Sequence, residues 1–327
     1  MVTDKAIYDL VIIGAGPIGL ACAIDAQKHG LNYLVLEKGC LVNSIFHFPT
    51  NLIFFSTPDL LEIGGIPFII SAEKPTRTDL LKYYRIAAEH YGLNIHLFEK
   101  VAAIKGKAGD FTISTDRPES YRTRNIVIAT GQYDHPNMMN IPGENLGKVS
   151  HYYTEAHPFY KKKVAVIGGK NSAVETSLDL LKHGAEVTLI HRGNDFGKSV
   201  KYWILPNIEN RIKKGKMRAL FNTVVQEIRE NCIVIQNGTG SVQELENDFV
   251  FALTGYNPDT EFLQKLGVEL GDMYRPAHNE ETLETNVPGI YVAGVITVGS
   301  EGSKVFIENS RDHGAKIVRN IANGSKN

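Results

Sequence analysis

The sequence predicts an α/β fold of two domains of one kind, the second inserted in the first, and three observations carry that prediction. A pattern of strand, glycine turn, helix, glycine stop and strand occurs twice: Gly14 stands as far from Gly30 and Gly39 as Gly168 does from Gly184 and Gly193. The 327 residues exceed the roughly 100–200 of one ordinary domain. A last short strand with a glycine end, Gly289 to Val295, lies well beyond the second copy, so the C-terminal segment is expected to return to the first. The expected boundaries are 1–157 with 255–327 for the outer domain and 158–254 for the inserted one.

In the first copy the strand Tyr8 to Ile13 runs straight into Gly14-Ala15-Gly16-Pro17-Ile18-Gly19. Gly14 permits a tight turn, Gly16 lets the backbone approach a pyrophosphate, and Gly19 lets helix and strand pack closely. Leu20, Ala23, Ile24 and Gln27 recur at helical spacing before Gly30 closes the helix. Its N-terminus would face phosphates with unpaired N–H groups and a positive dipole end. The next strand ends on Glu37, about where an acceptor for ribose hydroxyls belongs. Together these features give two Rossmann-like (three-layer ββα) dinucleotide-binding domains.

The second copy repeats the plan with Lys163 to Ile167, Gly168-Gly169-Lys170-Asn171-Ser172, and a helix carrying Ala173, Val174, Leu178 and Leu181. Two exchanges set it apart. His191 stands where Glu37 does, followed by Arg192, so the carboxylate that would repel a 2′-phosphate is gone and a guanidinium that forks onto phosphate oxygens has arrived. That suits NADPH. Lys170 takes the place of Gly16, where it points outward or obstructs the backbone's approach to the pyrophosphate.

Between the copies a helix is expected from near Thr78 to Tyr91, then strands around Ile95 to Phe98, Phe111 to Thr115 and Asn125 to Ala129. Asp134-His135-Pro136 and Ile141-Pro142-Gly143 read as chain leaving one domain for the next. The segment Phe46 to Phe55 reads equally as an ordinary core strand and loop or as an aromatic cover. Basic residues at 211–218 follow an amphipathic segment, Trp203 to Ile212, and read as a solvated helix end.

A formal charge of −1, with 43% hydrophobic and 22% charged residues, offers no general reason to bind nucleic acid or anionic lipid. No uninterrupted apolar run is long enough for a membrane span. Asp4, Asp9, Gly14 and Pro17 break what would otherwise resemble a leader, which places the protein in the cytoplasm. Cys22, Cys40 and Cys232 are odd in number and widely spaced, against a disulfide framework and against a metal site.

The fingerprint with Pro17, Glu37, Ala129-Thr130-Gly131, the inserted second fingerprint, Thr254-Gly255-Tyr256 and Gly294 is the layout of the low-molecular-weight thioredoxin reductase group, but without its Cys-x-x-Cys. Within that group, Phe48-Pro49-Thr50, Phe54-Phe55-Ser56, the run from Leu61 to Gly64, Trp203-Ile204-Leu205-Pro206, Pro258-Asp259 and the run from Phe306 to Asn309 resemble the bacillithiol disulfide reductase (YpdA-type) family over essentially the whole chain.

The resemblance implies FAD on Gly14, Gly16, Pro17, Ile18, Gly19, Glu37, Lys38, Asn43, Phe48, Thr50, Val101, Thr130, Gly131, Gly294, Val295 and Ile307. It implies NADPH on Gly168, Gly169, Lys170, Asn171, Ser172, His191, Arg192, Thr254 and Gly255. It also implies a homodimer and, as substrate, a small disulfide or related acceptor, with a small redox protein as a further partner. Family members usually carry cysteine where Ile18 stands, so the catalytic residues are left open, with Cys22 and His47 the side chains to weigh. Cys22 reads first as a core thiol and His47 as a packed or solvated histidine. A helix opening near Lys304 would favour a reduced flavin. Three functions stay open: an NADPH-dependent disulfide reductase, a ferredoxin/flavodoxin-NADP reductase-like electron-transfer enzyme, and a non-catalytic redox-sensing flavoprotein. A flavin monooxygenase fits less well.

Overall fold

The computed structural model describes residues 7–324, so Asp4 lies outside the described residues. In chain order the first unit contributes β1 (Tyr8–Ile13), α1 (Pro17–Lys28), β2 (Tyr33–Leu36), α2 (Asn43–Phe46), α3 (Arg77–Tyr91), β3 (Ile95–His96), β4 (Val101–Lys107), β5 (Asp110–Thr115) and β6 (Ser120–Ile128). Next come β7 (Val149–Ser150), β8 (Lys163–Ile167), α4 (Asn171–Lys182), β9 (Glu186–Ile190), α5 (Leu205–Lys213), β10 (Arg218–Leu220), β11 (Thr223–Ile228), β12 (Cys232–Asn237), β13 (Val242–Glu246) and β14 (Phe249–Ala252). The chain then returns with α6 (Thr260–Lys265), β15 (Ile290–Val292), α7 (Ile307–Ser310) and α8 (His313–Gly324).

In the first unit β3, β2, β1, β6 and β15 form a parallel sheet. Its strands are apolar on both faces because both are covered: Leu10, Val11 and Ile12 are fully buried. One face packs through Leu10, Ile12 and Val127 on Leu20, Ile24, Leu80, Tyr84 and Ile317 of the helices. The other packs through Val11, Ile13 and Ile126 on Phe111 and Ile113. That second cover is a meander in which β6 shares its N-terminal half with β5, and β5 pairs with β4, both antiparallel. Helices, parallel sheet and meander are the three layers expected.

The second unit has the same three layers. Its parallel sheet runs β10, β9, β8, β14, β7, and β11, β12 and β13 form the meander. Val166, Val174, Leu180 and Leu189 fill the helical side, while Ile167, Ile190, Ile233 and Ile235 fill the other.

Four expectations need correction. The crossing into the second unit falls at His135/Pro136, and the return at Gly255/Tyr256. Residues 136–157 go with the second unit because β7 pairs with β14 and Ile228 donates its N–H to the Pro142 carbonyl at 2.8 Å. The strand β4 went unforeseen. The segment Phe46 to Phe55 is no strand: it leaves α2 as a turn, makes a single β-bridge from Ile53 to Thr76, packs Phe48 and Phe54 on the core, and exposes Phe46 and Ile53. The C-terminal helix opens at Ile307, not near Lys304, and breaks after one turn before α8 begins.

Candidate dinucleotide sites

The β1–α1 turn shows why each glycine stands where it does. Gly14 has φ 106°, and a Cβ there would lie 2.6 Å from the Ala129 carbonyl oxygen at the end of β6. On Gly19 a Cβ would lie 1.9 Å from the Gly14 carbonyl oxygen. Gly16 is different: a Cβ would meet nothing of the protein within 4 Å. The space in front of it is therefore open, as close approach of a phosphate requires, and Pro17 at the first helical position presets the helix.

Glu37 closes this turn. Its carboxylate accepts from Ala15 N–H and from Gly39 N–H, each at 2.8 Å, with only 6% of the residue exposed. Burial raises its pKa, and the two N–H donors oppose that rise. Each oxygen keeps a lone pair for a hydroxyl. Beside it Lys38 pairs with Asp134 at 2.8 Å, and Asn43 folds back so that Cys40 Sγ lies 3.5 Å from its Oδ1.

At the same C-terminal edge of the sheet, β6 runs on into Ala129-Thr130-Gly131 and β15 into Ala293-Gly294-Val295, with Gly131 at φ 70° and Gly294 at φ 80°. Thr130 Oγ1 and Gln132 Oε1 are buried without a hydrogen-bond partner. A buried polar atom normally has one. These orphaned acceptors, with the open space at Gly16, fit a polar, phosphorylated ligand such as FAD on the first unit. Gln132 was not singled out from sequence; its place in the run after Thr130 and Gly131 was the available signal.

In the second unit Gly168, at φ 144°, abuts the Leu253 carbonyl as Gly14 abuts that of Ala129, with a Cβ again 2.6 Å away. The repeat thus extends to Leu253-Thr254-Gly255, where Thr254 Oγ1 donates to the Asn137 carbonyl at 2.6 Å and Gly255 has φ 100°. The acid of the first copy is replaced by a ring. His191 lies over Gly169, whose Cβ would stand 2.5 Å from the imidazole carbons. Burial and then Arg192 lower the His191 pKa, so it is neutral at pH 7. Arg192 is exposed and forms no ion pair among the described residues. Lys170 is exposed at the cap of α4, and Asn171 ties the next loop down by donating to the Ser199 carbonyl and accepting from Lys201 N–H. Ser172 follows in the first turn of α4.

The remaining side chains scatter. Phe48 packs edge-on against Tyr133, ring centroids 5.0 Å apart, and Thr50 is exposed. Val101 pairs with Thr115 at the start of β4, and Ile307 opens α7. Ile18 lies against Gly294. Cys22, weighed as a substitute thiol, is fully buried where Gly314 of α8 closes on its backbone, and burial drives its pKa far up. It is a core residue. His47 is exposed, and its Nδ1 sits 2.8 Å from the Asn43 carbonyl. Donating there leaves Nε2 of the neutral ring without a proton to give. Cys40 is partly exposed and burial raises its pKa, while Cys232 lies on the second unit's meander.

The profile of the family described as pyridine nucleotide-disulphide oxidoreductase matches residues 11–294. The chain is 47% identical over 324 residues to the bacilliredoxin reductase Bdr of Bacillus subtilis strain 168, covering 98% of each. Among solved structures it resembles the bacillithiol disulfide reductase Bdr (YpdA) of Bacillus cereus, with a TM-score of 0.95 and 43% identity over 98% of this chain and all of that one. The corresponding Staphylococcus aureus structure gives a TM-score of 0.94 and 40% identity, covering 98% and 99%.

Proposed function

Because the chain belongs to the pyridine nucleotide-disulphide oxidoreductase family and, within it, to the bacillithiol disulfide reductase (Bdr) group, we propose that it passes electrons from NADPH through FAD to a low-molecular-weight thiol disulfide, bacillithiol disulfide first. The observation that carries this reading is the unequal pair of turns. One is closed by a buried carboxylate with lone pairs left over, the other by a neutral ring with a free guanidinium beside it.

FAD, when bound, supplies the two-electron chemistry between a nicotinamide hydride and a disulfide. The chain's own work is to hold and orient. The first fingerprint presents N–H groups and the α1 dipole to the pyrophosphate, and Glu37 accepts from ribose hydroxyls. Thr130, Gly131, Gly294 and Val295, at the same edge of the sheet, would line the rest of the FAD site, with the unpaired Thr130 Oγ1 as a polar contact. On the second unit the turn from Gly168 to Ser172 holds the pyrophosphate, and Arg192 forks onto the 2′-phosphate. Per NADPH and one proton, one disulfide bond breaks and two thiols form.

No cysteine of this chain is placed to take part. Ile18 stands where the resemblance led to the expectation of a thiol, and Cys22 is sealed in the core. The homodimer expected above belongs to this proposal and is read by sedimentation.

The test is NADPH oxidation by the purified flavoprotein with bacillithiol disulfide, set beside ferredoxin and a quinone as one-electron acceptors. The reading expects turnover with the disulfide at two thiols per NADPH. Turnover with the one-electron acceptors alone would replace it by the electron-transfer reading.

A further inference from the structure

Gly294 is held on three sides within the first unit. Its N–H donates to Nδ1 of His313 at 3.1 Å, its carbonyl accepts from Thr297 Oγ1 at 2.8 Å, and a Cβ added to it would stand 3.2 Å from the Ile18 side chain. Both hydrogen bonds are buried. The turn is also tied to the neighbouring strand, since Ala293 donates to the Ile128 carbonyl at 3.0 Å just before β6 runs into Thr130 and Gly131.

Of the two hydrogen-bond partners, His313 is the one that comes from a separate element. It begins α8, is 8% exposed, and sits beside Gly314, which packs on the α1 backbone at Cys22. Accepting at Nδ1 assigns the ring's proton to Nε2 and makes the imidazole neutral. Burial agrees, pushing its pKa down to about 4, with Asp312, Lys316, His278 and Glu280 as the charged and titratable groups around it.

We propose that His313 is a positioning residue for the flavin cofactor: by accepting the Gly294 N–H it fixes the Gly294–Val295 turn against Ile18 and so sets where that turn meets the cofactor. This rests on the first unit being the FAD site. No other acceptor is recorded for that N–H among the described residues, so losing the imidazole would leave a buried donor unpaired. The side chain touches the turn rather than the reacting atoms. It therefore acts through geometry.

The experiment titrates FAD into the apoprotein and records the flavin's visible band for the wild type, His313→Asn, His313→Leu and Val318→Ala. Asparagine places an acceptor oxygen at the same branch position as Nδ1, and leucine fills the space without one. His313→Leu is expected to bind FAD roughly tenfold more weakly with a displaced band, and His313→Asn to stay within about threefold of the wild type. Val318→Ala, a fully buried lesion on the same helix, is expected to lower thermal stability and leave band and affinity unchanged.

If His313→Leu fails to fold, His313→Gln takes its place, since it moves the acceptor one bond outward; it is expected to bind more weakly than His313→Asn. Wild-type affinity and band in His313→Leu, or in His313→Gln where it stands in, would overturn the proposal. So would impairment of His313→Asn equal to theirs, or a band displaced as far by Val318→Ala. A wild type that takes up no FAD at all would instead remove the cofactor reading, and this inference with it.

Discussion

The Glu37 carboxylate holds the first fingerprint shut by accepting from Ala15 and Gly39, while at the matching place in the second fingerprint the His191 ring lies over Gly169. With His191 neutral, Arg192 is left as the charge next to that ring that suits a 2′-phosphate. Arg192→Ala is expected to raise the KM for NADPH about 10- to 100-fold, the worth of one charge-assisted fork, and to leave that for NADH within about twofold. Steady-state kinetics with both nucleotides decide it. Cysteine chemistry belongs to this scale as well. Replacing Cys40 and Cys232 by serine and Cys22 by alanine is expected to keep kcat for disulfide reduction within about threefold; a drop of a hundredfold in a folded variant would put a protein thiol back into the reaction. The exchange of Glu37 for His191 was legible from spacing alone. His313 was not, because its role depends on α8 lying against α1, and no periodicity announces which residue of one element will meet a backbone N–H of another.

Among the elements, Gly16 at the N-cap of α1 and Gly19 in its first turn separate packing from binding. A methyl on Gly19 would collide with the Gly14 carbonyl at 1.9 Å, whereas one on Gly16 would meet no protein atom within 4 Å. Gly19→Ala is therefore expected to destabilise the fold by more than about 2 kcal/mol, and Gly16→Ala to leave the apoprotein within about 0.5 kcal/mol of the wild type while weakening FAD retention. Thermal unfolding of the apoproteins and the flavin content of the purified ones give the two readings. Both βαβ units were legible because a strand buried on both faces, a glycine turn and a helix rich in apolar residues each leave a local mark. The strand β4 left none: it exposes five of its seven residues, so hydrophobic alternation never develops. The crossing at His135/Pro136 carries only the turn signal of Asp134-His135-Pro136 in the sequence, because β7 is two residues long and joins the second unit only by pairing with β14.

At the scale of the whole molecule, acid stability carries the signature of a buried neutral histidine. His313 has a folded pKa of about 4 against an ordinary value near 6.5, so between those values the unfolded chain holds the extra proton. Stability from this group is complete above about pH 6.5 and is lost as pH falls toward 4, by at most about 3 kcal/mol. Glu37 and Asp25, whose pKa values burial raises, oppose that loss at the acid end. The difference between wild type and His313→Asn isolates it: denaturant midpoints taken from pH 7 to 4 should fall more steeply for the wild type, and parallel curves would contradict the burial argument. Duplication explains the larger plan, since one three-layer unit used twice gives two nucleotide sites that differ in a few side chains. The most direct measurement of that claim is anaerobic rapid mixing of the FAD-loaded protein with NADPH and, separately, NADH, following loss of the flavin's visible absorbance. The account predicts full bleaching by NADPH, at least tenfold faster than by NADH at equal concentration; equal rates, or a flavin that neither nucleotide reduces, would contradict it.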